Sequence, residues 1–243
     1  MTTRTARPSA ERDGWAVVVP VKDFAHAKSR VVGLPPRLRR NLARALAMDT
    51  VETVCAAVGP QACFVVSSAA GCAGIRHLGV NLVREPYERG LNAALSAGRD
   101  AAISCGYRAV AMVVADLPLL TSQDLEAALA DVPSRGTVVV RDASGAGSTL
   151  LASRSGALIE AAFGGASAAR HVRLGVLDHT LMAATSLRFD LDTMSDVEAL
   201  RARGGDAGPR TMRWLREASS ALDGTNVSGV GLAHSTSRRC ATG

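Results

Sequence analysis

Three cations and three carboxylates carry the chemistry open to this chain. Lys22, Lys28 and Arg30 lie close together in the stretch PVKDFAHAKSR, directly after the apolar run from Trp15 to Val21. Ligands of α/β sheets collect at the carboxyl ends of the strands, and three fixed positive charges there suit a triphosphate better than a single phosphate. Taken alone, the same cations also read as a solvated surface loop. Asp116 stands where the apolar run RAVAMVVA stops. An ionised carboxylate is costly to desolvate, so one at the end of a buried strand needs a cation or donors nearby. Asp190 and Asp192 repeat the pattern: on a strand, residues i and i+2 share a face, so the two carboxylates could converge. With Asp116 they could hold one or two Mg²⁺ ions, since magnesium takes hard oxygen ligands, typically one or two carboxylates plus phosphate oxygens. Helix N-capping is the alternative use of these acids.

Two small-residue loops complete the set. Gly145-Ala146-Gly147-Ser148-Thr149 and Gly164-Gly165-Ala166-Ser167 offer backbone N–H groups and hydroxyls, a combination that binds carboxylate or phosphate. Arg170 and His171 just downstream would add charge. Asn92 opens a helix and reads as a nucleotide contact or as a plain N-cap, and His26 in the cationic loop could touch phosphate. Together these parts fit nucleotidyl transfer, in which an acceptor phosphate attacks the α-phosphorus of a nucleoside triphosphate and pyrophosphate leaves. Metal and cations stabilise the charge that develops. The acceptor is already anionic, so no general base is required.

The elements that must position these groups alternate between strand and helix. Strands are expected at 15–21, 62–66, 80–83, 108–115, 137–141, 149–153 and 187–191, and helices from 35–36 to about 58, at 90–104, 122–130, 195–203 and 210–222. Ser122 and Ser195 are the expected caps of two of these helices, and a short helix is expected within FGGASAARHVRLG. Such alternation argues for an α/β class with a Rossmann-like, mostly parallel sheet. A single domain over 14–222 is expected, between disordered tails at 1–13 and 223–243 whose composition is polar and Gly/Ser/Arg-rich.

Composition narrows the function classes. The 243 residues are 47% hydrophobic but only 3% aromatic, so the core is built from Ala, Val and Leu. No apolar run approaches the roughly 20 residues of a membrane helix, and the charged N-terminus has no apolar signal core. A cytoplasmic protein without a membrane partner is the expectation. The five cysteines form no CxxC pair and read as small hydrophobes. The net charge of +6 is spread along the chain, whereas nucleic-acid binders gather basic residues on one face; an anionic small molecule is the better partner, and no nucleic acid is expected.

In order along the chain, the blocks PVKDFAHAKSR, ERGLNAAL, VVADLPLL, GAGST, FGGASAARH and DLDTMSDV resemble the guanylyltransferase family of deazaflavin coenzyme (F-420) biosynthesis. That family is similar in fold to molybdenum cofactor guanylyltransferases. The likeness spans about residues 15–203. It implies a three-layer nucleotidyltransferase fold with a mixed, mostly parallel sheet, and a reaction joining GMP from GTP to a small phosphorylated carboxylic acid. The acid is phosphoenolpyruvate, 2-phospho-L-lactate or 3-phospho-D-glycerate, and the product passes to the deazaflavin transferase. The Ala- and Arg-rich composition mildly favours phosphoenolpyruvate. By resemblance, Lys22, Lys28, Arg30 and Asp116 are catalytic, and Asn92 joins the three cations in binding nucleotide. Ser148, Gly164 and Ser167 hold the acceptor, and Asp116, Asp190 and Asp192 hold Mg²⁺. Guanine selection rests on the resemblance alone. The chain departs from the pattern in carrying Ser148-Thr149 where many members have Thr, and the loop after strand one lacks the glycines of the wider superfamily. A related nucleotidyl- or glycosyltransferase, for which DLD reads as a DxD motif, and a non-catalytic GTP-binding domain are the alternative classes.

Overall fold

A computed structural model describes residues 12–24, 28–68, 74–84 and 90–227. His26, residues 1–11 and residues 228–243 lie outside that description, and with them most of both expected tails. Seven strands form one sheet: β1 (Arg12–Val21), β2 (Cys63–Ser67), β3 (Asn81–Arg84), β4 (Tyr107–Val113), β5 (Thr137–Arg141), β6 (Ser148–Ser153) and β7 (Leu177–Asp178), in the order β3-β2-β1-β4-β6-β5-β7. β6 runs antiparallel to both β4 and β5, and the remaining pairs are parallel. The sheet is therefore mixed and mostly parallel, as expected. The first strand starts at Arg12 and so takes in two residues assigned to the N-terminal tail.

The apolar run of β1 is buried from Ala16 to Val21 because helices cover both sheet faces, which is why it reads as continuous rather than alternating. Val17, Val19 and Val21 enter one core with Met48, Val51 and Val54 of α1 (Pro36–Val58) and Leu125 and Leu129 of α3 (Ser122–Ala130). Ala16 and Val18 enter another with Ala94, Leu95 and Ala102 of α2 (Leu91–Ser104), Ile159 and Phe163. A third cluster joins Val31, Leu34, Leu42 and Leu46 to Phe189, Leu191, Val197 of α5 (Met194–Ala202) and Trp214 of α6 (Pro209–Val227). The N-terminus of α6 is held by Asp49 of α1, which accepts from the N–H groups of Arg210 (3.2 Å) and Thr211 (2.8 Å).

Three local readings are corrected. Residues 187–191 are not a strand: a 3₁₀ turn over Thr185–Leu187 leads into irregular chain in which the Asp190 N–H donates to the Arg188 carbonyl, and the Leu191 N–H donates to the Asp116 carbonyl, outside the ladder. The caps of α3 and α5 are Thr121 and Thr193, one and two residues before the serines chosen from sequence. Thr193 forms a reciprocal capping box with Asp196. The two-residue β7 was not foreseen. The short helix in FGGASAARHVRLG is α4 (Ser167–Arg173).

Candidate active site

The carboxyl ends of β1 and β4 diverge above their last pairing, Val18 with Met112, and a cavity of ≈ 590 Å³ opens there. Lys22, Lys28 and Arg30 line it with Asp116, Asp190 and Asp192, and so do Ser148, Gly164 and Ser167. Among the sequence-predicted site residues that are described, Asn92, Arg170 and His171 are missing from the lining, as are Gly145 and Thr149 of the first small-residue loop.

Lys28 is the hub of the charged groups. Its Nζ donates to Asp116 Oδ2 at 2.5 Å and to Asp192 Oδ1 at 3.0 Å, and its side chain is only 9% exposed. Burial works against the ammonium, but the charges and hydrogen bonds of Asp116 and Asp192 outweigh it, so the lysine pKa is raised. Arg30, exposed, reaches Asp192 Oδ2 at 3.5 Å. Asp190 is the unusual acid. Burial, and then the charges of Asp116, Asp142 and Asp192, push its carboxyl up to about 7, so near neutral pH it is poised between its protonated and ionised forms.

The second oxygen of Asp116 is buried without a hydrogen-bond partner. An orphaned carboxylate oxygen beside a carboxyl crowded by three others is a donor set that a divalent cation would relieve, so hard-oxygen chemistry fits these residues. The expected strand geometry for Asp190 and Asp192 is absent, however, and Asp192 turns to Lys28 and Arg30. Among the described residues no three acid, His or Cys groups converge on one point.

The rest of the lining is built largely by backbone. β5 and β6 form a hairpin whose loop carries Asp142, which accepts the Gly147 N–H at 2.8 Å. A Cβ on Gly147 would strike that carboxylate, which explains the glycine better than flexibility does. This loop meets the second small-residue loop through the Ala168 N–H and the Ala146 carbonyl, 3.1 Å. The second loop passes through positive φ at Gly164 (113°) and Ala166 (54°) before α4 begins.

Three polar side chains pin that loop, and their roles were not legible beforehand. Asn92 donates to the Phe163 carbonyl (3.1 Å) and accepts the Phe163 N–H (2.8 Å), so both ends of its amide are engaged; the N-cap of α2 is Gly90. The Arg170 guanidinium donates to the carbonyls of Ala162, Phe163 and Gly165. His171 is fully buried and accepts the Ala162 N–H at Nε2 (3.1 Å). Burial, with Arg170 adding to it, lowers its pKa to about 4, so it is neutral at pH 7. The expectation that His171 adds charge is therefore corrected. Arg170, although charged, is committed to loop carbonyls.

Residues 15–226 match the model of a family described as guanylyl transferase CofC like. A phosphoenolpyruvate guanylyltransferase of Thermomonospora curvata is 39% identical over 200 residues, covering 81% of this chain and 86% of the relative. A second, from Salinispora arenicola, is 40% identical over 201 residues, covering 81% and 91%. Among solved structures, a protein from Desulfovibrio desulfuricans G20 assigned as a nucleotide-diphospho-sugar transferase superposes with a TM-score of 0.65. It is 16% identical, and the match covers 86% of this chain and 97% of that one; at that identity the likeness speaks for the fold.

Proposed function

The chain belongs to the guanylyl transferase CofC-like family, and we propose that it joins GMP from GTP to phosphoenolpyruvate, releasing pyrophosphate, as a step towards coenzyme F-420. One observation carries this reading. A single cavity is lined by Lys22, Lys28, Arg30 and the three acids together with Ser148, Gly164 and Ser167. A triphosphate and a small phosphorylated acid can then meet inside it.

In this reading Lys22, Lys28 and Arg30 bind the triphosphate. The acceptor phosphate forms a bond to the α-phosphorus as the bond to the β-phosphate oxygen breaks, and pyrophosphate takes up the electron pair. Asp116, through its unpartnered oxygen, and Asp190 would hold Mg²⁺ together with phosphate oxygens, with Asp192 kept by Lys28 and Arg30; when bound, the ion supplies positive charge against that developing on the phosphates. Lys28, shared between Asp116 and Asp192, is already desolvated and needs little reorganisation to stabilise the transferring group. Ser148, Ser167 and the Gly164 backbone orient the acceptor acid. Asn92 acts indirectly, by fixing Phe163 and hence the start of the acceptor loop.

The test is pyrophosphate release from GTP and Mg²⁺, run separately with phosphoenolpyruvate, 2-phospho-L-lactate and 3-phospho-D-glycerate. Release with phosphoenolpyruvate is expected, and Asp116→Asn should reduce it at least 100-fold, on the order of 3 kcal/mol of transition-state stabilisation. Release with another acid only would reassign the acceptor. Nucleoside diphosphate in place of pyrophosphate would overturn the reaction class.

A further inference from the structure

The acceptor part of the site contains a buried chain of three polar side chains in which the proton on the imidazole can be placed. Ala162 contributes a backbone N–H, which can only donate, so His171 Nε2 is the acceptor and carries no proton. The single proton of the neutral ring then sits on Nδ1. That nitrogen lies 3.1 Å from Ser148 Oγ, so the imidazole donates and the serine oxygen accepts. Ser167 Oγ lies 3.1 Å from the same Ser148 oxygen, and one of the two hydroxyls donates to the other. Because the Nδ1 proton already points at Ser148, neither serine proton is spent on the ring, and the pair keeps one proton to give. Ser148 and Ser167 both line the cavity.

We infer that His171 is a positioning residue that, by donating to Ser148, holds the Ser148–Ser167 hydroxyl pair as a hydrogen-bond donor towards the anionic group of the acceptor acid. The inference rests on the acceptor being bound at Ser148, as proposed above. It also excludes a different role. With Nε2 accepting from Ala162 and Nδ1 protonated, His171 has no lone pair left for the reacting phosphate and cannot act as a general base. A carboxylate and a phosphate oxygen are both pure acceptors, so a serine held as donor suits either end of a phosphorylated acid. A hydroxyl free to rotate would donate only part of the time.

Two near-isosteric substitutions separate this role from a merely structural one. The amide nitrogen of Asn can take the place of Nδ1, so His171→Asn keeps the donor to Ser148 and loses the brace on the Ala162 N–H. The amide oxygen of Gln can take the place of Nε2, so His171→Gln keeps the brace and loses the donor. The expected result is an acceptor KM within about twofold of wild type for His171→Asn. For His171→Gln it rises about 3- to 10-fold, since the serine hydroxyls remain and lose only the donor that orients them. The KM for GTP should not move in either. The reverse order, equal impairment of both or no impairment in either would overturn the inference. ¹⁵N-histidine NMR of the whole protein, with the His171 signal identified by its loss in His171→Asn, reads the tautomer directly. A resonance protonated at Nε2 would also overturn it. Wild-type protein that turns over none of the three acids would sink the proposed reaction instead, and the tautomer would still decide this point.

Discussion

Lys28 holds its position at φ 57°, in the left-handed region that residues with a Cβ seldom occupy. The conformation costs an L-residue roughly 1–2 kcal/mol, and here the two carboxylates that grip the ammonium offset it. Strain of this kind concentrates at functional sites, where the surroundings over-determine the backbone. Lys28→Ala and Lys28→Gly delete the same ion pairs with Asp116 and Asp192, so the difference between them isolates the backbone. The glycine gains freedom in the unfolded chain, which subtracts part of its advantage. The glycine variant should therefore be more stable than the alanine variant by about 0.5–1 kcal/mol, read from urea unfolding. Both should lose pyrophosphate release. An alanine variant as stable as the glycine one would mean that the turn at residue 28 is not strained.

At the scale of elements, the sheet sets how closely helices may approach. Gly98 faces β1 and β2 from the middle of α2: a Cβ there would collide with Val18 Cγ1 and lie 2.7 Å from Val66 Cγ2. Neither valine has room to retreat, since both are buried in the central strands. Gly98→Ala gains up to about 1 kcal/mol of helix propensity but overpacks the interface by about 1–3 kcal/mol. A net loss of about 1–2 kcal/mol in chemical denaturation is expected; a stabilised variant would show that α2 is not seated this closely. The sequence displays α2 as an Ala-rich helix yet cannot show that one of its glycines is a contact. The same divide runs through the whole fold. Strands β1, β4, β5 and β6 are legible because burial on both faces leaves unbroken apolar runs. Residues 187–191 imitate a strand through buried Leu187, Phe189 and Leu191, but Leu187 serves the first core cluster and Phe189 and Leu191 the third, and the Leu191 N–H goes to Asp116. In the site, residue type announces the cations and acids at the strand ends. It points to Asn92, Arg170 and His171 but misreads what they do, because their partners include main-chain groups at 162–165, and any sequence supplies those.

The whole molecule divides the labour of holding the site between two cores. The third cluster packs Val31 and Leu34, just past the cationic loop, and Phe189 and Leu191, which flank Asp190, against Trp214 and Leu215 of α6. Trp214 also donates to the Leu38 carbonyl at 2.9 Å. The second cluster packs Ile159 and Phe163, at the entry to the acceptor loop, against α2 and strands β1, β4 and β6. Neither Trp214 nor Ile159 lines the cavity, so each can act only by moving what it supports. Trp214→Leu should loosen the cations and acids and raise the KM for GTP several-fold while leaving that for the acceptor nearly unchanged. Ile159→Ala should do the opposite, with a stability loss of about 2–5 kcal/mol from the cavity it leaves. Misplacement by a fraction of an ångström is enough for such effects, since a shift of about 1 Å can cost 100-fold. Steady-state kinetics well below the melting temperature, on protein whose circular dichroism matches wild type, separate this from unfolding. If both substitutions raised both KM values together, the two halves of the site would share one support, and the division between the cores would have no functional meaning.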